Sequence, residues 1–329
     1  MNYNDPAVRT LVKSELKGMA DQGANLISTR LWMVTTEKAT PGQPAEKWKW
    51  HFPPSASELS NLRQYAQDVA ATVAADGHYL QLDLTTLRLW AADLEAGSPT
   101  TTIGYENLSP TEFKTRWETT YKSIIDAVYD IKRPDGRSVI CLVYMDGEFM
   151  VGAKKNQDWF LKTFYPGFVT YARSKSVMPS LYFNIAASEA EILDNGFLDS
   201  TYPALNGRRS MYWVYRSLRY MKDNGLPLPE RVDFSNYISR VSSTYDILAK
   251  RVPDDADGSL STLGLPKSYG NAETFYFTSD IERRALGLAM AKQRLVEGRL
   301  RMTSFWTTPD AGGPGVHFGY PFVIKDYLP

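Results

Sequence analysis

Helix-type and strand-type hydrophobic patterns alternate along nearly the whole chain, and this alternation restricts the fold more than any single motif. Residues 6–22 carry apolar positions at helical spacing, with Pro6 suited to a first turn. Gly23 stops this helix, and residues 24–34 (ANLISTRLWMV) read as a buried strand. A Pro- and Trp-rich loop at 41–54 contains Trp48, Trp50 and Phe52. Ser57 opens the next helix, about 57–75, which stops near Gly77. Residues 78–87 follow as a strand. Ser109 and Glu112 have capping-box spacing and start a helix to about Ile131. The turn RPDGR at 133–137 leads into SVICLVYMDGEF (138–149), the clearest strand in the chain. Residues 157–175 are helical, with a break near Pro166-Gly167. Strands at 178–188 and 230–238 bracket a helix at 208–225 that ends at Gly225. A helix at 241–251, a strand end within 263–275, a helix from Ser279 to about Glu297 and a strand at 299–307 complete the series.

Repeated strand–helix–strand units imply parallel strands joined by right-handed crossovers. No GxGxxG follows the first strand and no Walker loop is present, so a nucleotide fold gains no support. Seven strand units in 329 residues fit a single (β/α)8 TIM barrel over 1–329 better than a doubly wound sheet. Only a few residues precede the first helix. The expected barrel therefore either lacks its first strand or takes it from 316–328, a circular permutation.

Composition removes several classes. Lys+Arg and Asp+Glu both number 37, so bulk charge does not point to nucleic acid or an anionic membrane as partner. No apolar run is long enough to span a membrane. One cysteine excludes an internal disulfide and a Cys-based zinc site. His51, His78 and His317 lie too far apart for metal-ligand spacing, so neither metal nor cofactor is expected. MNYNDPAVRTL lacks the basic start and apolar core of a signal peptide. The compartment stays open: secreted or periplasmic if an export signal was removed, otherwise cytoplasmic. The sequon Asn107-Leu-Ser runs into Pro110 and says little. The unusual quantity is 13% aromatic content, with Tyr 20 and Trp 8. Flat apolar faces with polar rims suit sugar rings.

In a barrel of this kind the active site lies at the C-terminal ends of the strands. Those ends carry Arg30 with Trp32, Tyr144 to Glu148, Asp233 to Tyr237, Asn271 with Glu273, and Ser304 to Trp306. Alternation turns Arg30 with Trp32, Asp146 with Glu148, and Asn271 with Glu273 inward, and Cys141, Val143 and Met145 outward. Cys141 then reads as a buried structural thiol. Asp83, at a strand end, and Asn184 are further substrate-site candidates. Two carboxylates on separate strand ends suit glycoside hydrolysis, one protonating the leaving oxygen and the other attacking the oxocarbenium-like centre.

The order of these strand ends resembles a retaining clan A glycoside hydrolase. GANLISTRLW is similar to that clan's second strand, SVICLVYMDGEF to the fourth, RVDFSNY to the sixth, LPKSYGNAETF to the seventh and SFWTTPD to the eighth. The resemblance implies Arg30 as a substrate-site arginine and Glu148 as acid/base. It implies Tyr237 as the tyrosine bonding the nucleophile, Glu273 as that nucleophile, and Trp306 as the sugar platform. Gly147 stands where the clan has Asn, and Asp146 is a substitute for the lost contact to the sugar 2-hydroxyl.

Plainer readings compete. Asp146-Gly147-Glu148 is also a turn signal. Glu273 is also placed to pair Lys267 or Arg283, and Arg30 to be a buried ion-pair partner. Trp32, Trp90 and Trp306 each suit a core, whereas Trp48 and Trp50 suit it less. Tyr212, Trp213 and Tyr215, on one helix with Arg216 and Arg219, read as packing. His317 is a lone histidine. Three functions result: a retaining glycosidase on a β-linked polysaccharide, with endo action favoured by the aromatic loops; a carbohydrate-binding barrel without catalysis; or an unrelated barrel lyase or aldolase. The last has no recognisable phosphate loop, Schiff-base lysine or metal cluster.

Overall fold

The computed structural model describes residues 3–30, 34–37, 47–50, 53–85, 109–145, 154–184, 212–229, 231–237, 269–275 and 300–305. The chain divides into two compact units, Met1–Gly18 with Asn25–Pro179, and Met19–Ala24 with Ser180–Pro329.

The first unit contains helix α1 (Pro6–Asp21), strand β1 (Leu26–Arg30) and the hairpin strands β2 (Val34–Glu37) and β3 (Lys47–Trp50). It continues with α2 (Ala56–Ala71), β4 (Gln81–Thr85), α3 (Pro110–Val128), β5 (Ile140–Tyr144), α4 (Lys154–Thr163) and α5 (Tyr165–Ser174). Strands β1, β4 and β5 lie side by side and parallel. Each new strand joins the same edge, so right-handed crossovers place the connecting helices on one face. A doubly wound sheet would instead reverse direction.

Which face that is follows from one contact. Thr29 Oγ1 lies 3.0 Å from the Tyr65 hydroxyl of α2. Thr29 is registered with Leu84, and Leu84 with Val143, so these positions face the helices. Ser28, Asp83 and Leu142 lie in one row on the opposite face, and Arg30, Thr85 and Tyr144 in the next. Leu82, Asp83, Leu84 and Thr85 are all buried, as are Leu142, Val143 and Tyr144. Burial of both faces is what a parallel sheet requires.

The helices meet in chain order. Tyr3 and Arg9 both bind Asp68 of α2. Arg63 of α2 donates to Asp130 and to the Ala127 carbonyl at the end of α3. Helix α3 buries Phe113, Trp117, Tyr121, Ile124, Ile125 and Val128, a stripe at helical spacing. Its rings meet Phe164, Phe160 and Phe168 edge-to-face, at 5.8, 5.6 and 5.5 Å between centroids. A Cβ at Gly167 would lie 3.1 Å from the Tyr121 hydroxyl, so glycine permits this close approach.

The loops after α2 and α3 share one construction. Asp76 and Asp135 each accept from the backbone N–H two residues on. Gly77 and Gly136 follow with φ of 89° and 80°, a region that glycine enters without steric cost.

The second unit contains β6 (Pro179–Asn184), α6 (Tyr212–Asp223), β7 (Val232–Tyr237), β8 (Tyr269–Phe275) and β9 (Leu300–Phe305). Its strands are again parallel and added in sequence order. Val214, Arg216, Ser217, Leu218 and Met221 of α6 are buried. The fold is thus α/β with parallel strands.

Several local expectations change. Within the stretch 24–34, β1 covers Leu26–Arg30, and Val34 belongs to the antiparallel pair β2–β3. Trp48 and Trp50, expected in a loop, lie in β3. Helix α2 is opened by Ser55, whose side chain accepts from the Glu58 N–H in a reciprocal capping box; the local hydrogen bonds favour Ser55 over Ser57 because Glu58 is three residues on. Ser109 caps α3, while Glu112 pairs with Arg116. Cys141 is partly exposed rather than buried. It falls at a β-bulge, since Ile140 pairs with Leu82 and Leu142 with Asp83, which leaves Cys141 outside the ladder. The expected helices at 241–251 and 279–297, and the segment 316–328, lie outside the described residues.

Candidate functional site

The C-terminal ends of the parallel strands carry two separate groups of polar positions, one in each unit. In the first unit the last row is Arg30, Thr85 and Tyr144, with Asp83 one row below. Asp83 sits at the centre of β4, not at its end, and is fully buried at 0% exposure. Thr85 and Tyr144 are also buried. Trp32, Asp146, Gly147 and Glu148 follow β1 and β5 in the chain and lie outside the described residues.

In the second unit, register aligns Asn184 with Ser235 and Ser235 with Glu273. These are cross-strand neighbours on β6, β7 and β8. Asn184 ends its strand, and Tyr237 ends β7 opposite Phe275. The ladder shifts between Phe234 and Ser235, and again between Asn271 and Thr274 on the β9 side. Such irregularities re-aim residues and recur beside active sites. Trp306 follows β9 and lies outside the described residues.

Beneath that row lies a polar cluster that the sequence reading missed. The Ser180 hydroxyl donates to Asp233 Oδ2 at 2.8 Å and lies 2.9 Å from the Arg231 carbonyl. Arg231 Nε donates to Asp233 Oδ1 at 2.6 Å. Asp233 and Ser180 are both wholly buried. A buried carboxylate requires such partners, because ionisation away from water is costly without them. Arg231 immediately precedes β7 and lies two residues from Asp233. Ser180 comes from β6, 53 residues away, and no local signal reports it. The cluster ties β6 to β7 and supports the row above it.

The sequence candidates therefore fall into three sets. Arg30 and Asp83 are brought to adjacent rows of one unit; in the other, Asn184 and Tyr237 end their strands and Glu273 lies two residues before the end of β8. Trp32, Asp146, Glu148 and Trp306 lie outside the described residues. Among the described residues no group of three or more His, Cys, Asp or Glu is arranged to hold a metal ion. No described helix is long and apolar enough to cross a membrane.

The sequence matches no protein-family model and no curated protein. Its fold does have a solved counterpart. A family 5 xyloglucanase from Paenibacillus pabuli, determined in complex with ligand, superposes with a TM-score of 0.53. Identity is 11%, over 96% of this chain and 88% of that one. That enzyme is a TIM barrel of clan A, and the likeness concerns the fold, not the positions of catalytic residues.

Proposed function

We propose that this chain is a retaining glycoside hydrolase of clan A type, built as a single (β/α)8 barrel over 1–329 and acting on a β-linked polysaccharide or oligosaccharide. The observation that supports it most is the register row Asn184–Ser235–Glu273, in the C-terminal halves of β6, β7 and β8, in a chain whose fold is similar to a xyloglucanase. Glu148, in its protonated form, donates to the glycosidic oxygen as the C–O bond breaks. Glu273 attacks the anomeric carbon and forms a glycosyl ester. Glu148 then takes a proton from water, whose oxygen displaces Glu273 and restores the starting anomer. Arg30, Trp32, Asp146, Asn184, Tyr237 and Trp306 hold the sugar or steady the two carboxylates, with endo action.

On a xyloglucan, β-glucan and aryl β-glycoside panel, Glu273→Ala abolishes turnover on every substrate, because no ester can form. Azide then gives the inverted glycosyl azide. Glu148→Ala keeps the first step on substrates with good leaving groups and loses natural oligosaccharides; azide gives the retained product. Wild-type turnover in Glu273→Ala would remove the assignment. In a complex, the two carboxyl groups stand about 5–5.5 Å apart.

Gly147 favours a second reading, a carbohydrate-binding barrel without catalysis, since the usual contact to the sugar 2-hydroxyl is missing there. Polysaccharide binding with no hydrolysis of any panel member is its signature.

A further inference from the structure

Strand β1 is held by two different means. Along one edge it pairs with β4, and among the described residues it stands at the end of the strand order. Its helix-facing row is Thr29, Leu84 and Val143. Leu84 and Val143 are buried aliphatic residues, and only Thr29 brings a hydroxyl to this row. That hydroxyl shares a hydrogen bond with the Tyr65 hydroxyl of α2, at 3.0 Å. Burial pushes the Tyr65 hydroxyl above its ordinary value, and the Thr29 bond offsets only part of this, so the pair is uncharged around neutral pH. The Tyr65 ring is itself fixed, edge-on to the buried Tyr3 ring at 5.4 Å.

Hydrophobic contacts are non-directional, so Leu84 and Val143 hold the sheet against the helices without fixing how a strand is turned. A hydrogen bond is directional, and enclosing two hydroxyls to make one adds little net stability. What the pair supplies beyond an aliphatic contact is therefore direction: it fixes the rotation of β1 about its own axis. The strand ends one residue later, at Arg30, in the row of Thr85 and Tyr144 on the opposite face. From this arrangement we infer that Tyr65 is a positioning residue for the site: through Thr29 it sets the end of β1 and so the placement of Arg30 against the substrate. The inference deepens the proposed function and rests on it for the role of Arg30.

The test is steady-state kinetics of the full chain on xyloglucan, β-glucan or the aryl β-glycoside, whichever wild type cuts fastest. Tyr65→Phe and Thr29→Val each lower kcat/KM about tenfold, the scale of effect expected when a contact group is displaced by a fraction of an ångström. Thr29→Ser, which keeps the hydroxyl, retains the wild-type value. Tyr3→Phe loses the Asp68 hydrogen bond on the same helix; it lowers the melting temperature and leaves kcat/KM unchanged. In an Arg30→Ala background, Tyr65→Phe changes kcat/KM by less than about twofold, because residues that act through one another are not additive. Where Arg30→Ala leaves too little turnover to measure, Arg30→Lys takes its place, and if Thr29→Val does not fold, Tyr65→Phe carries the comparison. Wild-type kcat/KM in Tyr65→Phe overturns the inference. So does an undiminished tenfold loss in the Arg30→Ala background, or an equal loss in Tyr3→Phe, either of which would make the pair a general support of the fold. Wild type inactive on the whole panel removes the proposed function and this inference with it. Active wild type with kinetics indifferent to Tyr65 and Thr29 removes the inference alone.

Discussion

Two helix seams in the first unit solve the same packing problem with opposite chemistry. Between α1 and α2, the Asp68 carboxylate is almost entirely enclosed and receives Tyr3 at 2.9 Å and Arg9 at 2.6 and 2.8 Å. Between α3 and the α4/α5 pair, Phe113, Trp117 and Tyr121 interlock with Phe164, Phe160 and Phe168, and polar groups stay at the rim. There Asp126 binds Lys175 at 2.7 Å and Tyr171 at 2.6 Å, and Lys175 covers the Tyr129 ring at 4.5 Å. An apolar seam depends on shape and area; a charged one depends on protonation. The two therefore differ in what disrupts them.

The largest effect is expected in the aromatic seam. Trp117→Ala removes a wholly buried indole and should cost about 3–5 kcal/mol, seen as a lower urea midpoint with similar slope. The loss should be the same at pH 5 and pH 7. A cost under about 1 kcal/mol would mean that the rings do not hold α3 to α4/α5.

Asp68→Ala comes next, at about 1–3 kcal/mol, and its effect depends on pH. Burial raises the Asp68 carboxyl, but hydrogen bonds from Arg9 and Tyr3 outweigh it and hold the group below its ordinary value. A depressed folded value contributes stability that is complete above the unfolded value, near about pH 4. It is lost as pH falls from there through the folded value. The variant should therefore differ most from wild type at neutral pH and converge with it in acid, as followed by denaturation across pH. Parallel curves at all pH values would show that the seam does not depend on the charge.

The smallest effect belongs to Asp126→Asn. Hydrogen bonds from Lys175 and Tyr171 likewise outweigh burial and lower this carboxyl. Its side chain is 45% exposed, so water and salt screen the pair. The expected cost is about 0–1 kcal/mol, disappearing in high salt. A larger, salt-independent loss would make the rim part of the core.

The same contrast explains how much of the candidate site was legible. Asn184 and Glu273 are legible as polar residues of strand-type segments, and nothing in either segment says that Ser235 lies between them. Asp83 reads as a strand-end acid, yet its neighbours on β1 and β5 bury it at mid-strand. Arg231 and Asp233 are visible as a pair, but Ser180 belongs to another strand. Trp48 and Trp50 sit in a stretch dominated by prolines and lysines, where turn signals outweigh a four-residue strand.

By itself, the sequence determined what depends on neighbours within a few residues. The alternation of elements, the Ser109 cap, the break before Pro166 and the Asp-Gly turns ending at Gly77 and Gly136 follow from local sterics and local hydrogen bonds. Tertiary structure decided what depends on partners far along the chain. It chose the helix-facing side of β1, β4 and β5 through the Thr29–Tyr65 contact. It placed a bulge at Cys141 that changes which residues face the helices. It joined Asp68 to Arg9 across 59 residues and brought Asn184, Ser235 and Glu273 into one row. Register has this character because a shift of one residue leaves local propensity unchanged, yet turns every side chain of a strand to the opposite face.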